Sequence, residues 1–146
     1  MKKILVILLS VICLFGCSKK EEAIEQVEEK TIEKETFDVD ISFTSNTMAY
    51  ATLENIKENP DEYIGKSFKM KGQYRKFYSE FTGSNYYVCI IFDPAGCCSL
   101  GMEFMMDSEE AYPMEGLEIV VQGVIDSYQE GSDSFLYLKD ASWKRC

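Results

Sequence analysis

Residues 66–78 read KSFKMKGQYRKFY. Phe68, Met70 and Tyr74 fall on one side of an extended chain, and Lys69, Lys71 and Arg75 on the other. Strand side chains point alternately to opposite faces, so this stretch predicts a half-buried strand with an apolar inner face and a basic outer one. Four more segments follow with strand character. Residues 85–92 form a near-continuous apolar run, and residues 99–106 alternate, with Leu100, Met102 and Phe104 on one face. Residues 117–128 form a long apolar strand with Gly123 inside it, which marks a bend or bulge. After the turn Glu130-Gly131-Ser132-Asp133, residues 135–139 give a last short strand. Upstream, residues 47–59 predict a short helix. Asn46 or Thr47 can cap it, Ala51, Leu53 and Ile56 give it an apolar stripe, and Pro60 stops it. Five strands at this spacing predict a small closed or half-closed barrel. A five-stranded meander, or an open sheet packed on the helix, is the alternative.

The order of elements resembles an OB-fold: a long first strand, a hairpin of the second and third strands, then a second hairpin of long strands. One departure is that residues 107–116 hold a short Asp/Glu-rich connection where that fold usually carries its helix. The helix at 47–59 is expected to plug the barrel instead. Residues 58–72, ENPDEYIGKSFKMKG, resemble the NPxxYxGKxxxxxG lead-in to the first strand of small bacterial OB-like exported proteins. Residues 92–104, FDPAGCCSLGMEF, resemble the ADAxxCCxxGxEF hairpin of uncharacterised bacterial lipoproteins, with Asp93-Pro94-Ala95 in place of the usual Asp-Ala. That resemblance implies a fold and a location, and carries no catalytic residues.

The N-terminus points the same way. Lys2 and Lys3 precede an apolar run from Ile4 to Phe15, too short to cross a bilayer comfortably and of the right length for a signal peptide. Leu14-Phe15-Gly16-Cys17 resembles a bacterial lipobox, with Phe15 departing from the usual residue before the glycine. The resemblance implies that Cys17 is the lipidation site: it receives a diacylglycerol thioether and becomes the mature N-terminus. An uncleaved membrane anchor is the other reading. Three regions follow: a signal peptide at 1–16, the lipidated Cys17 with a charged spacer to residue 36, and an OB-like domain at 37–146. The spacer SKKEEAIEQVEEKTIEKET has no Pro, Gly or aromatic residue and too few apolar ones to bury a core, so it reads as a solvated, partly helical tether.

The 146-residue chain has 15 basic and 25 acidic side chains, a net charge of −10, and losing Lys2 and Lys3 with the signal makes it more acidic. Such a body is repelled by anionic headgroups, so the attachment to the cell membrane has to be the lipid, with the domain facing outside the cytoplasm. Nucleic acid is excluded as a partner, since phosphate contacts need a basic surface. An envelope protein or a small ligand fits better.

Four cysteines remain in the domain: Cys89, Cys97, Cys98 and Cys146. They are compatible with unpaired thiols, with disulfides, or with a zinc or redox site using all four. If Pro94 and Ala95 centre the hairpin turn, Cys98 shares the apolar face of Cys89, Ile91 and Leu100 and is expected to be buried. Cys97 then falls with Ser99, Gly101 and Glu103 on the exposed face. Cys89 and Cys98 would be diagonal neighbours at about 7–8 Å, wide for a disulfide. Strand alternation also opposes gathering Cys97 and Cys98 around one metal unless the turn bulges.

The chain has no histidine, which removes the commonest general base and every His-ligated metal site. No reaction and no cofactor are marked, with zinc as the alternative. Tyr74, Tyr78 and Tyr86, with Phe77, Phe81 and Tyr87, cluster around the first hairpin beside Lys69 and Arg75. They are candidates for a ligand-binding barrel face, against an ordinary barrel core with amphipathic edges. The sequence therefore reads as a lipid-anchored binding module, with a thiol-based metal or redox protein second.

Overall fold

The computed structural model describes residues 35–146. The signal peptide, Cys17 and the spacer up to residue 34 lie outside the described residues.

Strand β2 (Ser67–Ser79) is the axis of the fold. It pairs antiparallel with β3 (Ser84–Phe92) on one side and with β5 (Glu118–Glu130) on the other. Strand β3 pairs with β4 (Ser99–Phe104), β4 runs parallel to β6 (Asp133–Arg145), and β6 returns antiparallel to β5. The circuit β2-β3-β4-β6-β5-β2 is closed. The protein is thus mainly β, with the five-stranded OB-like barrel expected from the strand pattern. An additional short strand, β1 (Val39–Asp40), runs parallel to β2 outside that circuit. Asp38 fixes it there: its Oδ2 accepts from the Ser67 N–H at 2.8 Å and from Ser67 Oγ at 2.7 Å.

The alternation in residues 66–78 holds. Phe68, Met70 and Tyr74 are buried and meet Cys89, Met102, Phe104, Ile119, Val121, Ile125 and Leu138 in one core. Helix α1 (Asn46–Glu58) adds Ala49, Leu53 and Ile56 to the same cluster and rests on β3 and β4. Its cap is Ser45, whose side chain accepts from the Met48 N–H, one position before the expected Asn46 or Thr47. The stripe starts at Ala49 rather than Ala51, which is exposed. Ala49, Leu53 and Ile56 follow the helical spacing of four and three, and Ala51 lies off that face.

Two strand features depart from the sequence reading. The last strand extends to Arg145, well beyond residue 139. Asp140 adopts φ +49°, and the register with β5 slips opposite Gly123, where Gln122 faces Ser142 and Val124 faces Lys139. The expected irregularity at Gly123 is therefore a bulge, and beyond it the inward positions of the last strand change phase, from Leu136 and Leu138 to Ala141 and Trp143, without leaving the sheet. A side chain at 123 has no room, because a Cβ there would approach the Lys139 carbonyl oxygen to 2.7 Å.

The acidic connection between β4 and β5 contains one 3-10 turn, Glu109–Ala111. It delivers Tyr112, which stacks on Tyr87 with ring centroids 3.8 Å apart and packs near Tyr74 and Phe104. Trp143 Nε1 donates to the Ala111 carbonyl at 2.7 Å, tying that connection to β6.

Candidate functional site

The inner faces of β3 and β4 belong to the core, and their outer faces are left open between two hairpin ends. Tyr86 and Val88 on β3, with Gly101 and Glu103 on β4, form the floor. The β2–β3 turn contributes Phe81 and Thr82. The β5–β6 hairpin contributes Tyr128, Glu130, Asp133 and Phe135, and the end of α1 contributes Lys57. The groove they enclose is about 730 Å³, within the range of small-ligand sites.

The groove's polar groups are ordered by one another. Tyr86 donates its hydroxyl to Glu130 Oε1 at 2.6 Å and shares a 2.8 Å contact with Thr82 Oγ1. Tyr128 donates to Glu103 Oε2 at 2.8 Å, and its ring stacks on Phe135 at 5.7 Å. Each carboxylate has two oxygens, so each keeps accepting capacity for a ligand after binding its tyrosine. Desolvation, with a smaller contribution from the Glu130 charge, raises the Glu103 pKa above the usual carboxylate range against the opposing hydrogen bond from Tyr128. The Tyr86 hydroxyl is held in its protonated form chiefly by its bond to Glu130, and the Tyr128 hydroxyl chiefly by burial. Phe81 is 99% exposed at the rim, an apolar ring with no partner among the described residues. Gly101 keeps the floor flat, since a Cβ there would come within 2.5 Å of Val88 Cγ1.

The face expected around Tyr74, Tyr78, Tyr86, Lys69 and Arg75 is not assembled as one surface. Tyr74 points inward and is buried, and Tyr78 is exposed. Only Tyr86 of the five lines the groove. The basic residues of β2 turn toward other partners. Lys69 sits 4.7 Å over the Phe37 ring, Arg75 donates to Gln73 Oε1 at 2.8 Å, and Lys71 and Lys76 approach Glu118 and Glu109 at 3.7 Å each. Of β2, Ser79 at its last position lines the groove, while Lys69 and Arg75 lie outside the lining. Glu103, Tyr128, Glu130 and Phe135 were missed by the sequence reading. Their local signal is the alternation that puts Glu103 opposite in sense to Met102 and Phe104, and Tyr128 and Glu130 on one side of β5.

The cysteines separate into two environments. Cys89 is fully buried in β3, and desolvation pushes its thiol up to about 12. Cys97 and Cys98 lie side by side in the β3–β4 turn, and both are exposed. The burial expected for Cys98 is overturned because β4 begins only at Ser99: Phe92 pairs with Ser99 and Ile91 with Leu100. Both cysteines precede the ladder, so strand alternation does not govern them. Cys146 is exposed at the last residue. All four are free thiols, and among the described residues Cys97 and Cys98 are gathered with Asp93 into one cluster.

No described helix is long and apolar enough to cross a membrane. Comparison of the chain with protein-family models, curated proteins and solved structures finds no match.

Proposed function

We propose that this chain is a lipid-anchored binding protein that works outside the cytoplasm and captures an uncharged, hydroxyl-rich ligand, of the class of a neutral oligosaccharide, in the groove between its two hairpin ends. The observation that carries this reading is the groove's composition. Aromatic faces from Phe81, Tyr86, Tyr128 and Phe135 stand beside the carboxylates of Glu103, Glu130 and Asp133, with Lys57 the one cation that the described residues bring to the lining. An anionic ligand is repelled by that balance. A sugar chain offers apolar ring faces to the aromatics and hydroxyl donors to the carboxylate oxygens. OB-like barrels commonly bind oligosaccharides between these same hairpin loops. The sequence adds the anchor, through the lipobox-like LFGC and the acidic body that gives a membrane no other hold.

Calorimetric titration with three probes tests the groove: chitotetraose in its fully N-acetylated, uncharged form, trilysine and a thymidine oligonucleotide. Chitotetraose is expected to bind and the oligonucleotide to fail. Phe81→Ala is expected to weaken the sugar several-fold without moving the melting temperature, because that ring makes no core contact. Binding of trilysine alone would contradict the neutral-ligand reading, as would sugar binding indifferent to Phe81→Ala. The anchor is tested separately by detergent-phase partitioning, which Cys17→Ala should abolish. Equal partitioning of wild type and variant would refute lipidation.

A further inference from the structure

At the opposite end of β3 from the groove's Phe81 turn, residues 93–98 form a small side-chain and backbone cage. Asp93, Pro94 and Gly96 occupy the turn positions that suit them, and Gly96 takes φ +71°, where a side chain would be strained. The Gly96 N–H donates to the Asp93 carbonyl at 3.0 Å, and the Asp93 N–H donates to the Cys98 carbonyl at 2.9 Å. The Asp93 carboxylate then does two things. Its Oδ1 accepts from the Cys98 N–H at 3.1 Å, and its Oδ2 accepts from the Cys97 thiol at 3.2 Å. These bonds turn both neighbouring thiols to one side, with Cys97 Sγ and Cys98 Sγ 3.7 Å apart.

That spacing has a chemical meaning. Two thiolates on one tetrahedral zinc ion, each at about 2.3 Å, lie ~3.8 Å from each other. A thiolate and a carboxylate oxygen on the same ion lie ~3.5 Å apart, taking ~2.0 Å for the zinc–oxygen bond. The three candidate donor atoms all fall within 4.8 Å of one another. The departure from strand alternation that a shared ion requires comes from the turn, where Gly96 takes the αL conformation just ahead of the pair.

We propose that Asp93, Cys97 and Cys98 form an exchangeable zinc site with its fourth position open. Cys89 and Cys146 take no part in it. Cys89 faces the core, and a four-cysteine centre would have to pull it out through β3. Thiolate donors select a borderline-soft ion over magnesium and calcium. Three protein ligands leave one coordination position for water or for a donor from another molecule. The turn is held by its own backbone hydrogen bonds without metal, and both thiols are exposed, so the ion can enter and leave without unfolding the barrel. Loading releases two thiol protons to solvent, from Cys97 and Cys98, and moves no electrons. The proton that now bridges Cys97 and Asp93 is one of these. Because loading displaces these protons, affinity should fall as the pH is lowered.

The test uses the full chain in detergent, reduced and stripped of metal. Zinc is titrated against a chromophoric chelator, and cobalt(II) serves as the spectroscopic probe. One zinc per chain is expected, with thiolate-to-cobalt charge-transfer absorption. Cys97→Ser and Cys98→Ser should each weaken binding by about ten-fold or more, and Asp93→Asn by about ten-fold. Cys146→Ser should leave affinity and spectrum unchanged, and millimolar magnesium should not compete. Thermal melts of the metal-free variants confirm folding, which these exposed positions are not expected to disturb. The proposal is overturned if the reduced wild type takes up no zinc, if the Cys97→Ser/Cys98→Ser double variant binds like wild type, or if Cys146→Ser abolishes binding.

Discussion

The two ends of β3 are built by opposite means. At the Ser84 end, the groove draws on α1, the β2–β3 turn, β4 and the β5–β6 hairpin, and no two of its carboxylates are neighbours in sequence. At the Phe92 end, six consecutive residues organise themselves around one carboxylate, Asp93. The first is a surface that exists only when the barrel closes. The second is a local device that needs little from the barrel beyond the ladder that starts it. Mutations should separate the two ends accordingly, and α1 is the element that spans both. Its Tyr50 lies near the thiol turn, close enough for Cys98 and Asp93 to raise its phenol's pKa after desolvation, and its Lys57 lines the groove.

The largest effect should come from the residue that fastens that helix. Leu53 is fully buried under β3 and β4. Leu53→Ala is expected to cost about 2–5 kcal/mol, read by denaturant unfolding, and to weaken groove binding. Zinc affinity under native conditions should fall less, because the turn keeps its own hydrogen bonds. Equal loss at both ends would show that the thiol turn depends on the barrel as much as the groove does.

Gly101→Ala sharpens the comparison from the groove side. The new methyl meets Val88 Cγ1 and the Cys89 carbonyl oxygen, both under 3 Å. A cost of about 1–3 kcal/mol is expected from overpacking, with loss of the groove ligand and an unaltered cobalt spectrum.

The cysteines give the next contrast. Cys89→Ala should cost about 1–2 kcal/mol from lost core packing. Cys97→Ala and Cys98→Ala, measured with chelator present, should each stay within about 0.5 kcal/mol of wild type, as exposed positions do. Site-resolved alkylation should agree, with Cys97, Cys98 and Cys146 modified quickly and Cys89 only on unfolding. Fast native alkylation of Cys89 would contradict its place in the core.

The smallest effect is electrostatic. The Glu103 pKa is raised in the folded state, so protonation favours folding. Its contribution is complete below the ordinary carboxylate value of 4.5 and is lost as pH rises through the raised one. Glu103→Gln keeps an acceptor for Tyr128 and should flatten that decline, shifting the melting temperature upward by a few degrees at most at neutral pH. An unchanged pH profile would place the titration elsewhere.

The same contrast explains what could be read in the chain. Local alternation made the strands legible, since Phe68, Met70 and Tyr74 carry the period of two and every one of them is buried. It failed beyond Gly123 and Asp140, where a bulge breaks the period while the sheet continues to Arg145. It also misplaced Cys98, because the pattern was carried two residues past the end of the ladder, into a turn where alternation has no meaning. Asp93 was legible in principle as a turn-opening Asp before Pro94 with Gly96 three positions on. Its grip on both cysteines was not, because that depends on side-chain direction. The groove was least legible of all. Of the aromatics expected to share a face, Tyr74 and Tyr86 lie on opposite sides of the barrel wall, and Glu103 and Tyr128 meet only across β4, β6 and β5.

A single backbone-amide shift map tests the central claim, that the two ends of β3 are separate sites. One reduced, metal-free sample is titrated first with zinc and then with chitotetraose. Zinc is expected to perturb residues 93–98 and the facing turn of α1. The sugar is expected to perturb Phe81, Tyr86, Gly101, Glu103, Tyr128 and Phe135, leaving the zinc-shifted resonances where they stand. Sugar-induced shifts centred on the thiol turn, or zinc shifts centred on Glu103 and Glu130, would contradict it.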